Sequence, residues 1–93
     1  MATVKNTEKK LKDYKATLFI MGRTYTGKGD TVAKAVIDIR PEITRGRAVL
    51  TVEKGENSRE RILMPKVVYR IYNGSDISRS LAMKNISLLF ENI

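Results

Sequence analysis

A chain of 93 residues, 42% hydrophobic and 30% charged, has room for one core and enough apolar content to fold around it; two domains would starve both. It contains neither cysteine nor histidine, which excludes a disulfide framework and a thiolate metal site and removes the usual general base near neutral pH, so no metal and no cofactor are expected. Lys and Arg number 18 against 10 Asp and Glu, a formal charge of +8, and phosphates attract such a surface and release counterions when it docks.

The opening MATVKNTEKKLKDYK lacks the apolar segment of a secretory signal, and no apolar run reaches the roughly 18 residues of a membrane span. A cytoplasmic protein with no membrane association is expected. Residues 1–12 carry Lys5, Lys9, Lys10 and Lys12 opposed only by Glu8. They read as a basic flexible arm, with residues 13–93 as a single domain.

Tyr14 to Met21 is rich in strand formers, with Leu18 and Ile20 alternating against Thr17, Phe19 and Met21. Gly22-Arg23 then suits a type II′ turn into a second strand, Thr24 to Lys28. Asp30 or Thr31 is placed to cap a helix in which Val32, Ala35, Val36 and Ile39 recur at helical spacing, and Pro41 ends it near Arg40. The loop that follows brings Arg40, Arg45 and Arg47 close together in sequence.

Arg47 to Glu53 reads as a strand with Ala48, Leu50 and Val52 on one side, and Lys54 to Asn57 as a turn into Ser58 to Met64. In that last strand Ile62 and Met64 share a face with Ser58 and Glu60. Arg59, Arg61 and Leu63 share the other, so two guanidinium groups project together on whichever side is solvated. Pro65 favours a helix start, and Val67, Val68, Ile71 and Tyr72 have helical spacing up to Asn73-Gly74; VVYRIY equally suits a strand, so residues 65–73 are a short extra helix or strand. Ser75 or Asp76 opens a final helix with Ala82, Ile86, Leu89 and Ile93 on one side, widened by Leu81, Met83, Leu88 and Phe90. That coverage suits a helix central to the core or partly covered by a second protein.

The order strand, strand, helix thus occurs twice. An α+β fold follows, a two-layer β-β-α-β-β-α with a mainly antiparallel four-stranded sheet, helices on one face and the other face exposed and basic.

Gly22-Arg23-Thr24-Tyr25-Thr26-Gly27-Lys28 matches seven positions of a phosphate-binding P-loop, but Gly29 stands where the magnesium-binding hydroxyl should be, and a hairpin explains the same residues. Tyr14 to Ile39, with its strand pair and GKGDTVAKAVIDI, resembles the strand–strand–helix half of double-stranded-RNA-binding domains, with that family's lysine tract reduced to Lys28 and Lys34. The same G-D-T-x-x-A pattern resembles HicB-type antitoxins, and neither resemblance transfers a function. Tyr25, Tyr69 and Tyr72, interleaved with Arg23, Arg59, Arg61 and Arg70, are candidates for stacking on unpaired bases. No spacing groups a nucleophile with a base or forms a convincing acid pair, so no enzyme is expected.

A small, basic, non-catalytic binding protein is the resulting expectation, associated with nucleic acid, RNA or a ribonucleoprotein. Its candidate contacts are Lys5, Lys9, Lys10, Lys12, Arg23, Lys28, Arg45, Arg47, Arg59 and Arg61. The alternative is a protein-interaction module, docked on a larger assembly or self-associating as a homodimer, with Leu88, Leu89, Phe90 and Ile93 at its interface.

Overall fold

The computed structural model describes residues 13–93; the arm expected over residues 1–12 lies outside them. Two hairpins, β1 (Tyr14–Ile20) with β2 (Arg23–Gly29) and β3 (Ala48–Lys54) with β4 (Asn57–Leu63), join through β1 and β3 into an antiparallel sheet of order β2-β1-β3-β4. Helices α1 (Val32–Asp38), α2 (Pro65–Asn73) and α3 (Asp76–Leu89) complete an α+β fold, and residues 65–73 are helix. Among the described residues no helix is long and apolar enough to cross a membrane.

Register decides which side of each strand is covered. Ala16, Leu18 and Ile20 lie opposite Val52, Leu50 and Ala48, and all six are buried with Val36 and Ile39, Val68 and Ile71, and Ala82, Met83, Ile86 and Phe90. Burying a side chain of the Val or Leu class contributes about 1.5–3 kcal/mol, so this layer holds the helices on one face of the sheet. The pairings Leu50↔Arg61 and Val52↔Arg59 put both arginines on that same helix side. The open face instead bears Lys15 and Lys28 with Glu53 and Glu60, a threonine row through Thr26, Thr17 and Thr51, and an apolar row through Phe19, Val49 and Ile62. The expected basic sheet face is therefore absent: alternation along β4 sends its carboxylate outward and its two guanidinium groups the other way.

The first hairpin turns one residue earlier than its glycine suggests. Ile20 pairs with Arg23, and Met21 (φ 50°) and Gly22 (φ 77°) form the two-residue loop, both in the positive-φ region of a type I′ turn. Arg23 is consequently the first residue of β2 rather than a turn residue. Helix α1 starts from Thr31, whose Oγ1 accepts the Lys34 N–H at 3.1 Å; Asp30 pairs with Lys34 Nζ instead. It ends at Asp38, short of Arg40, with Ile39 as its cap.

Helix α1 lies on β2 almost backbone to backbone. A Cβ at Gly27 would stand 2.5 Å from the Ala35 carbonyl oxygen, and one at Gly29 would stand 2.7 Å from the Ala35 nitrogen. Gly27, which completes the P-loop-like stretch with Lys28, and Gly29, which breaks it, thus both serve close helix–strand packing. Asp38 closes the same contact from the far end of α1, its Oδ2 accepting the Lys28 backbone N–H at 3.0 Å.

Helix α2 packs against α3 and is tied to α1 by the Tyr72 hydroxyl, which donates to the Val36 carbonyl at 2.9 Å. Burial pushes the Tyr72 phenol well above the usual tyrosine range. At its C-terminus Gly74 is extended rather than left-handed (φ −78°); glycine is required because a Cβ would meet the Arg70 carbonyl oxygen at 2.6 Å. Ser75 caps α3 by accepting the Ser78 N–H at 3.2 Å.

Candidate nucleic-acid interface

The α1–β3 loop and the first turns of α2 meet at the end of the sheet where β3 begins. Lys66, Tyr69 and Arg70 stand at i, i+3 and i+4 and so share one face of α2. Together with Arg45, Gly46 and Pro65 they line a shallow depression of about 330 Å³ whose floor is mostly apolar. Three cations therefore surround a tyrosine ring that is 56% exposed, and no carboxylate lines the site. Gly46, at φ +97°, gives the loop its left-handed bend there, beside the Met21 side chain.

Low mutual neutralisation is general across this surface. Among the described residues Lys34–Asp30 is the one ion pair, so Arg45, Lys66 and Arg70 keep their charge available to an external anion. Arg47 lies exposed just before β3, and Arg23 opens β2 at the same end, two strands away and about 10 Å by the usual strand spacing.

The remaining cations named from sequence do not join this group. Lys28 is exposed at the opposite end of the sheet, across from Lys15, whose neighbour on its other side is Glu53. Arg59 donates from Nη1 to the Glu91 carbonyl at 2.6 Å, which ties it to the chain after α3, and Arg61 bonds the Glu60 carbonyl at 2.9 Å. Lys5, Lys9, Lys10 and Lys12 lie outside the described residues. Of the ten, Arg45, Arg47 and Arg23 share one end of the molecule. Lys66, passed over in the sequence, and Arg70, noted only beside the tyrosines, complete it.

The three candidate stacking rings separate as sharply. Tyr72 is part-buried and committed to the Val36 carbonyl, and Tyr25 is packed against the core with its hydroxyl buried and without a partner. Tyr69 alone offers its ring to solvent among cations.

A second surface is of mixed character. Ile62, Met64, Val67, Leu81 and Leu89, with the polar Arg70, Ser78 and Asn85, border a groove of about 350 Å³ between the end of β4, α2 and α3. Ile77, Leu81 and Leu88 continue it as an exposed stripe along α3. Of the residues expected at a protein interface, Leu88 (62% exposed) and Leu89 (41%) lie on this side, Ile93 packs partly against the core, and Phe90, at 2%, is a core residue. Phe90 caps α3 with φ −112°, so the chain leaves the helix there and turns the ring inward.

The chain matches no protein family, no curated protein and no solved structure.

Proposed function

We propose that this domain is a non-catalytic nucleic-acid-associated protein, RNA-directed or part of a ribonucleoprotein, that holds phosphates at the cationic end of its sheet. The supporting observation is the group Arg45, Lys66 and Arg70 around exposed Tyr69, with no carboxylate in its lining. Guanidinium forks and an ammonium without internal partners pay no exchange of ion pairs on meeting a phosphate chain, and displaced counterions favour the complex. Arg47 and Arg23 extend the positive field at that end.

A titration with mixed RNA and DNA at two salt concentrations tests this reading. Affinity is expected to fall as salt rises, and Arg45→Glu with Lys66→Glu is expected to weaken binding and to lower the slope of log K against log salt by about two. Absence of binding at low salt, or binding indifferent to salt, overturns it.

A second reading is favoured by the exposed apolar side chains Ile77, Leu81 and Leu88 along α3: self-association of two copies through that helix. Light scattering on the protein and on Leu88→Asp separates the two readings. A dimer that the variant converts to a folded monomer supports the second, and a monomer at all concentrations removes it.

A further inference from the structure

We infer that the nucleic acid held at this site is single-stranded, with one unpaired base stacked on Tyr69 and the flanking phosphates held by Arg45, Lys66 and Arg70. This rests on the nucleic-acid reading and narrows it.

Two features of the site favour an unpaired strand. The depression has an apolar floor and a cationic rim, which matches a flat base with an anionic backbone on either side. A base within a duplex has both faces covered by its neighbours, so a single exposed ring finds nothing there to stack on, whereas every unpaired base presents a π-face. Lys66 and Arg70 lie about one helical turn apart on the face that carries Tyr69, so a strand whose base covers the ring has its backbone within reach of both side chains.

The local fold keeps the ring available. Tyr69 is exposed where Val68 and Ile71 are buried, and Tyr72, one turn further on, has its hydroxyl fixed on α1. The helix is thus anchored by one face while Lys66, Tyr69 and Arg70 remain on the other.

Tryptophan is absent from the chain, so Tyr69→Trp installs a lone reporter at the site. The full chain and its Tyr69→Ala and Tyr69→Trp variants are titrated with a short mixed-sequence RNA and with the same strand annealed to its complement. Tighter binding of the single strand, a loss of about ten-fold on Tyr69→Ala with an unchanged salt slope, and quenching of the Trp emission by the single strand alone are the expected results. Equal or tighter duplex binding, an indifferent Tyr69→Ala, or no quenching overturns the inference. Salt-dependent binding of both forms that ignores Tyr69→Ala leaves the nucleic-acid reading standing and removes this one, while salt-dependent binding of neither removes both.

Discussion

The two strand–strand–helix halves share an order of elements and part company at the residues their second strands turn toward the helices. In the first half β2 presents Gly27, and α1 settles on it at backbone distance. In the second half β4 presents Arg59 and Arg61, and α2 stands away from the strand against α3. One glycine against one arginine at equivalent depth thus separates a helix laid on its own hairpin from one lifted off it. The lifted helix is the one that carries Lys66, Tyr69 and Arg70.

The sharpest way to break the first half is to give Gly27 a side chain. Gly27→Ala is expected to cost about 3 kcal/mol, because the added carbon meets main-chain atoms of α1 that cannot rotate away. Urea unfolding measures it, and a loss under about 1 kcal/mol would show that α1 slides freely on β2.

Next in size is the link between the halves. Tyr72→Phe removes the hydroxyl bond to Val36 and is expected to cost about 1 kcal/mol. Because burial raises the folded-state phenol above its unfolded value of roughly 10, Tyr72 supports the fold fully below that pH and progressively less above it. Thermal melts above pH 10 should therefore fall less steeply in Tyr72→Phe than in the parent.

A gain is expected at the first turn. Met21 holds φ at 50° without the small polar side chain that tolerates it, and Met21→Asn would create the Asn-Gly pair preferred in type I′ loops, stabilising by about 0.5–1 kcal/mol. Smallest of all, Arg61→Ala should change stability by less than about 0.5 kcal/mol, since its side chain is exposed and bonds only the neighbouring carbonyl. A large loss there would mean that β4 depends on its arginine as β2 depends on its glycine.

Element order and type were legible, except at residues 65–73 where VVYRIY suits helix and strand alike, because the segments are locally consistent: Val32, Ala35 and Val36 keep a helical period, and Ala48, Leu50 and Val52 keep a period of two. The turn position was not, because a methionine at positive φ leaves no mark in the sequence, whereas Gly22 beside it attracts the turn by one residue. Alternation also told which β4 residues share a face but not which face is covered. Ile62 and Met64 on one side and Leu63 on the other make the apolar content ambiguous, and pairing with Ala48 decides for Leu63. At the candidate site, Arg45 and Arg70 were each visible as basic residues, yet they are 25 positions apart, and only the loop crossing beside α2 brings them together around Tyr69.

The charges of β4 have a further effect, on how the molecule behaves when crowded. Its outer side is an unpaired strand edge, the kind of template along which sheets add strands and fibrils grow. A second copy joining there by a two-fold axis centred on Glu60 would set carboxylate against carboxylate and Arg59 against Arg61 on each side of it, and like charges directly opposite repel. At the other edge the Lys28 N–H is already occupied by Asp38. Each margin of the sheet thus carries one feature that discourages strand addition, like charges at this register of β4 and the engaged Lys28 N–H on β2.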